Sequence, residues 1–507
     1  MRELPRGWVT AKLADIVAPD ASIIYGILQP GPSLAKGVLY VRPTEIVNDV
    51  IDVANLRRTS TQIAKRYSRS TLRPDDIILS IVGTIGKVAV VPAELDGANI
   101  TQSSCRLRPD PNLISHDTLA YFLRSPIASS QFDDLSLGTA VPRLNLEDVR
   151  EIEIPLAPPP EQRRIVSMLD SISAKNRRSR GHLDHIPRLV EKFKQAILAA
   201  AFRGELTREW RGRQNEVETA DALIKRTEEP SQSRGGREAT TEVRPGIAGL
   251  SLNDPGIEPP AGWTWVSLQR IARQETGHTP SRSHPEYWDG GIPWIGIRDA
   301  GDYHGQIIHE TLQTVSDQGL ANSSARLLPA GTVCLSRTAS VGYVTIMGRS
   351  MATSQDFATW TCSPALLPKY LMFALMAEGE GIRNFGEGST HTTIYFPEIR
   401  ALHICLAPIL EQHKIVGLIE RAFAWIGRLA AEATKARKLV DHLEKTVLAK
   451  AFQGELVPQD PSDEPASVLL ERIRAKSEAT PRKRSRNKDE KVSRISLKSK
   501  PRSRRKH

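Results

Sequence analysis

Cysteine is scarce: only Cys105, Cys334, Cys362 and Cys405 occur in 507 residues, with no C-x-x-C pair and no histidine pair beside any of them. That argues against a zinc site and a disulfide framework, and fits buried free thiols in a reducing cytosol. No apolar run reaches the roughly 18 residues of a membrane span. The N-terminus, MRELPRGWVT, lacks the apolar core of a secretory signal, so a cytoplasmic chain without membrane contact is expected. Catalytic signatures are missing as well. VGTIGKVA holds Gly83, Gly86 and Lys87 without the G-x-x-x-x-G-K-[ST] spacing of a phosphate loop, and reads as a tight hairpin. There is no H-E-x-x-H, G-x-S-x-G or D-P-P-Y. Pro74-Asp75 opens no nuclease pattern, because no acidic-x-Lys follows at a suitable distance, and the 12 histidines are dispersed. No catalytic residue, metal site or cofactor is expected on this chain.

Charge is abundant but unevenly placed. Of 69 Lys and Arg and 58 Asp and Glu, 13 and 2 fall in residues 481–507, so the rest of the chain carries 56 of each. The net charge of +11 therefore belongs to a tail too poor in apolar residues to form a core. Such a tail reads as disordered, either a backbone-binding arm or a solvated extension. Any nucleic-acid surface on the body must come from local patterning.

What dominates the sequence is an internal repeat. Residues 155–206 align with 405–456 without a gap: LAPPPEQRRIV faces LAPILEQHKIV, and AFRGEL faces AFQGEL. Gly7, Trp8 and Leu13 match Gly262, Trp263 and Leu268, and LRPDDIILS (72–80) resembles LLPAGTVCLS (327–336) with one insertion. Within the shared frame, heptad spacing places Ile165, Leu169, Ile172, Asn176, Ser179, Leu183, Ile186, Val190, Phe193 and Ile197 on one seam. Its counterpart holds Ile415, Ile419, Ala422, Ile426, Leu429, Ala433, Ala436, Val440, Leu443 and Val447. Each predicts a helix of about 40 residues, a rod of about 60 Å, with Asn176 fixing register and Pro187 kinking or splitting the first helix. Gly204 and Gly454 are placed as C-caps.

The expected fold class is α+β: two mixed α/β globular domains (1–154 and 259–404) separated by two long helices (155–206 and 405–456) that pair as an antiparallel coiled coil, giving a pseudo-two-fold internal repeat. Residues 207–258 read as a short helix and polar linker, and 457–507 as a short helix before the basic tail. VLYVRPTEI, DDIILSIVGTIGKVAVV and CRLRP predict strands, followed by a helix over 117–132 with a break at Pro126. IPWIGIRD, GTVCLSRTASVGYVTIM, FATWTC and KYLMFALMAEGEGIRNF repeat that order. An inverted pair of equivalent domains suits two half-sites on one side of a duplex. No helix-turn-helix, zinc finger or basic zipper is present, so loops on a sheet would do the reading.

The paired L-A-P-x-x-E-Q-x-x-I-V openings at 156 and 406, the A-F-x-G-E-L closings at 201 and 451, and the loop GHTPSRSHPEYWDGGIPWIGIRD (277–299) resemble the specificity subunit of type I restriction-modification systems. The resemblance covers about 1–225 and 259–475. It implies a non-catalytic chain whose two target recognition domains read a bipartite sequence in double-stranded DNA and which docks two modification (methyltransferase) subunits. Restriction subunits join these for ATP-dependent cleavage, and S-adenosylmethionine, ATP and Mg belong to the partner subunits. Candidate DNA contacts are Lys87, Gln102, Ser103, Arg143 and Asn145 in the first domain. In the second they are Ser281, Arg282, Tyr287, Arg337, Gln355 and His391, chosen because Arg, Asn and Gln suit base edges while Lys and Ser suit phosphates. Trp288 and Trp294 are read as packed under the loop. The competing reading is a non-catalytic coiled-coil scaffold whose globular domains bind protein or peptide.

Overall fold

Two helices of 44 residues each, Pro159–Phe202 and Ile409–Phe452, carry the repeated frame. The computed structural model describes residues 4–138, 141–214, 218–232, 238–338, 340–386 and 392–479; the basic tail lies outside them. The chain divides into two units, one of residues 1–180 with 437–507 and one of residues 181–436. Each unit holds the first part of one long helix beside the last part of the other. Ile165 and Leu169 share a core with Leu448, Ala451 and Phe452 in the first unit. Ile415, Val416 and Ile419 share one with Leu198, Ala201 and Phe202 in the second. Within each unit the pairing is antiparallel, and in the first Arg180 bridges Asp441 (2.7 Å) and Glu444.

Three expectations need correction, two for the helices and one for the linker. Of the two outcomes expected at Pro187, the split does not occur: the helix runs on through it as one element, with turns on both sides to hold it where proline donates no hydrogen bond. The heptad seam drifts: Leu429 and Leu443 are 47% and 48% exposed and Phe193 60%. The next residues along, Ala430, Glu444 and Lys194, are half-buried instead. A straight helix gains about 20° on a 3.5-residue repeat in every heptad, which carries the seam onto the following residue. Ile172, Leu183, Val190, Ile197, Val440 and Val447 are half-buried, while Asn176 and Ile426, equivalent positions, are buried. Third, part of the polar linker is sheet: Leu250–Leu252 pairs antiparallel with Leu402–Leu406, and Arg244–Pro245 pairs with it in turn. A three-residue strand has too little periodicity to stand out from polar sequence.

The repeated motifs are frame-building residues. Both helices end in a Schellman motif, Glu205 N donating to Ala200 O and Glu455 N to Lys450 O at 2.9 Å each. Gly204 and Gly454 take the left-handed conformation (φ +72° and +73°) that this motif requires. At the other end, Gln162 donates to Leu113 O and Ala157 O, and Gln412 to Ala365 O and Ala407 O. Glu161 is buried and accepts from Trp8 Nε1 at 3.0 Å. Its counterpart Glu411 accepts from Thr207 Oγ1 and Arg211 instead.

Each globular domain is built from the same sheets. Strands Ile24–Tyr25, Ser104–Leu107, Ile77–Ser80 and Val88–Val90 lie in that order in the first; Ala272–Thr276, Phe357–Cys362, Val333–Ser336, Val344–Met347 and Ile307–Ile308 in the second. IILS and VCLS are buried at all four positions, as strands covered on both faces must be. A smaller sheet sits beside each: Arg57–Thr59, Val38–Val41 and Asn99–Ile100, and Gln313–Val315, Trp288–Ile295 and Ala352–Thr353. The helix break falls at Ser125, which caps Pro126–Leu135 by accepting from Ala128 N. Sheet edges are closed differently. Leu250–Leu252 covers Leu402–Leu406, whereas Glu153–Leu156 has its outer backbone groups at Glu153 bound by the Gln131 amide and a proline, Pro155, beyond.

Candidate nucleic-acid interface

In both domains the chain leaves the edge strand of its larger sheet, Ile24–Tyr25 or Ala272–Thr276, through a glycine pressed against the smaller sheet's strand Asn99–Ile100 or Ala352–Thr353. A Cβ on Gly26 would lie 1.9 Å from Ile100 O, and one on Gly277 2.0 Å from Thr353 O. Only glycine fits there, and the following residue bonds back across the gap. Ile27 N donates to Ile100 O (2.7 Å) and His278 N to Thr353 O (2.9 Å). Two residues beyond each acceptor stand Gln102 and Gln355, both exposed, in the segments TQSS and SQDF. They occupy equivalent stations. Gln102 N donates to Ile27 O (2.9 Å), and Gln355 Oε1 accepts from Thr279 Oγ1 (2.7 Å).

Two further loops meet this one. The hairpins after Ser80 and Ser336 are closed alike, each hydroxyl accepting a backbone N–H seven residues on, from Lys87 and Tyr343, at 2.8 Å. The segment before each short helix then bonds the hairpin: Leu144 N donates to Ile81 O (2.9 Å) and Ile394 N to Arg337 O (3.0 Å). Arg143 is exposed on that segment, its backbone paired with Leu137 in both directions. Ser103 is half-buried, and its carbonyl accepts from Ile81 N. Three loops therefore converge on one rim in each domain.

The contents of the two rims differ. In the second, Arg282 is exposed, stacked 4.6 Å from the Trp288 ring, and donates to Gln313 Oε1 at 3.1 Å. Trp288 meets Trp294 edge-on at 5.2 Å, and both indoles donate to carbonyls of the loop, Ser281 O and His278 O. The pair lies under the loop and fixes it. Ser281 Oγ is bonded to Ser283 Oγ, and Tyr287 stacks on His284. The corresponding first-domain loop, ILQPGPSL, has no charged residue and leaves Leu28 exposed.

Three of the residues expected to touch DNA are tied into the protein. Lys87 Nζ donates to Pro43 O (2.9 Å) and Ile46 O (3.0 Å). Asn145 forms a capping box with Asp148 at the start of Leu146–Glu151. Arg337 is half-buried over the Phe396 ring (4.4 Å), with Nη2 donating to Gln355 O (2.9 Å). Burial pushes its pKa below the ordinary arginine value, opposed by Asp356; an arginine so shifted stays charged. Their geometry is that of loop anchors. His391 lies outside the described residues. Sequence reasoning missed Thr279 and Asp356, the latter accepting from Thr338 Oγ1 and Ser354 Oγ. The available signal was that TQSS and SQDF each stand between corresponding strands, after Asn99–Ile100 and at the start of Ser104–Leu107 in one copy and after Ala352–Thr353 and at the start of Phe357–Cys362 in the other.

The four cysteines are free, and burial pushes the thiols up, to about 12 at Cys105, Cys362 and Cys405. Among the described residues no cluster of His, Cys, Asp and Glu could hold a metal, and no helix is long and apolar enough to cross a membrane.

Comparisons with known proteins agree on one family. A family profile described as "Type I restriction modification DNA specificity domain" matches residues 5–188 and 260–429. The specificity subunit of the type I restriction enzyme EcoKI from Escherichia coli K12 is 23% identical over 94% of this chain and 97% of its own length. That of StySPI from Salmonella potsdam is 25% identical over 93% and 96%. The EcoBI subunit of Escherichia coli is 30% identical over 47% of this chain and 51% of that protein. The fold is shared with the HsdS subunit from Thermoanaerobacter tengcongensis (TM-score 0.53, 22% identity, 90% of this chain and 98% of that one). It is also shared with a chain of a type I R-M system solved to describe complex assembly and conformational transition (TM-score 0.65, 20% identity, 90% and 100%). With two matched regions that together span well over half of its length, the chain belongs to the family of type I restriction-modification DNA specificity domains, the non-catalytic specificity subunits of those systems.

Proposed function

We propose that this chain reads a bipartite target in double-stranded DNA, one half-site per globular domain, and docks two modification subunits that methylate adenine within it. The observation that carries the reading is the pair Gln102 and Gln355: equivalent exposed amides, set behind glycines that admit no side chain, on rims whose other residues differ. An amide there can pair bidentately with adenine N6 and N7, and an arginine such as Arg282 or Arg143 with guanine O6 and N7. Ser103, Ser281 and Tyr287 offer hydroxyls to phosphates or base edges. Lys87, Asn145 and Arg337 position the loops. The chemistry is supplied by partners: S-adenosylmethionine on the modification subunits, and ATP and Mg on restriction subunits that complete a cytoplasmic complex.

Duplex binding by the full chain, followed as salt rises, tests the reading. Log affinity for a target-bearing duplex should fall linearly with log salt, with a slope near −0.9 per phosphate contacted. A protein- or peptide-binding scaffold would show no such dependence, and that result would remove the proposal.

A further inference from the structure

The first globular domain carries a charge that its repeat lacks. Between Val53 and Pro74 the sequence holds Arg57, Arg58, Lys65, Arg66, Arg69 and Arg73, and no Asp or Glu. All but Arg58 are exposed, and none of those five forms an ion pair among the described residues. Asp76, just beyond the run, is taken up by Arg108 at 2.6 and 2.7 Å.

The run is held in place. It forms strand Arg57–Thr59, helix Thr61–Arg66 capped by Ser60, and the turn Ser68–Ser70. Arg106, buried to 5% exposure, reaches outward to fix it, Nη1 donating to Arg69 O and Nη2 to Ser22 O at 3.0 Å each. Asn99 Nδ2 donates to Tyr67 O, and Ser70 Oγ to Asn99 Oδ1. The run also packs directly on the loop that leaves Gly26. Thr59 Oγ1 donates to Pro30 O (2.7 Å), and Leu34 N donates to Arg58 O (3.1 Å). In the second domain the same elements, strand Gln313–Val315 and the helix Asp317–Ala321 capped by Ser316, sit in a stretch (311–330) whose charges are one Asp and one Arg. That arginine, Arg326, is paired with Glu275 at 2.9 Å.

We propose that the strip Arg57–Arg73 binds the sugar-phosphate backbone of duplex DNA beside the first half-site, without regard to sequence, and that the two half-sites are therefore held unequally. The proposal rests on the DNA-reading function above. The first-domain loop 27–34 carries no charge of its own and packs on the rigid basic strip, whereas the corresponding second-domain loop carries Arg282 itself. Backbone contacts of this kind set position and affinity, leaving base choice to the loops.

The test is the salt slope of the full chain on a target duplex. The triple variant Lys65→Gln/Arg66→Gln/Arg69→Gln should flatten it by about 2–3, at roughly 0.9 for each phosphate no longer neutralised. It should weaken duplexes with either half-site altered by the same factor. The pair Arg57→Gln/Arg73→Gln, at the ends of the strip, should flatten it by up to about 2. A control triple on the long helix, Arg177→Gln/Arg178→Gln/Arg188→Gln, makes the same change in net charge and should leave the slope alone. An unchanged slope in both strip variants, or equal flattening by the control, overturns the strip while leaving the half-site reading intact. A wild-type chain without any salt-dependent duplex binding overturns both.

Discussion

Gln162 and Gln412 do the same work at matching places in the repeat: each amide donates at 2.9 Å to two carbonyls at the mouth of its long helix, Leu113 and Ala157 for one, Ala365 and Ala407 for the other. Gln412 also accepts from Leu367 N at 2.9 Å. Both side chains are buried, so removing either strands carbonyls away from water. Gln162→Ala should cost about 1–3 kcal/mol of stability and Gln412→Ala more, since it also orphans a donor. Chemical denaturation of the two variants checks the order; equal and negligible losses would contradict it.

Gly277 meets Thr353 so closely that Gly277→Ala cannot be absorbed by a side-chain shift, because the opposing atom is backbone. We expect a loss of about 1–3 kcal/mol by overpacking. Modification of targets through the second half-site should fall at least tenfold, with first half-site selectivity retained. Methylation of duplexes mutated in one half at a time reads both effects.

Burial raises the Glu161 carboxyl above its ordinary pKa, with the Trp8 hydrogen bond and Arg164 pulling it back. The folded chain therefore keeps this proton to higher pH than the unfolded chain. The associated stability is complete below the ordinary glutamate value and is lost as pH rises through the raised one. Relative to Glu161→Gln, the wild type should lose ground across that window. The thermal midpoint of the wild type minus that of Glu161→Gln, measured from about pH 4 to 8, should fall as pH rises; a constant difference would show that the group does not titrate in the folded state across that range.

Much of this architecture was legible in the sequence because the repeat supplied an internal comparison. The strand runs IILS and VCLS, the paired E-Q openings and the glycine caps could each be checked against a second copy. The seam was legible only in part. A strict heptad count selected Leu429 and Leu443, and the drift of a straight helix moved the contact to Ala430 and Glu444. Among the candidate contacts, Gln102 and Gln355 were chosen for their chemistry, but their equivalence needed the Gly26 and Gly277 crossings. Lys87 and Arg337 looked like free cations because a sequence does not show which carbonyls will face them. The basic strip went unseen for a similar reason: a body with 56 charges of each sign hides a local excess that only exposure and pairing reveal.

The central claim is that each domain reads its own half-site, and mapping methylated adenines in the host genome tests it most directly. Three cultures suffice, expressing wild type, Gln102→Ala and Gln355→Ala. The account predicts one bipartite motif for the wild type. Gln102→Ala should relax or weaken a position in one half and Gln355→Ala a position in the other, each by the 1–3 kcal/mol of a bidentate base contact, about 5- to 150-fold. Variants that alter both halves together, or neither, would contradict it.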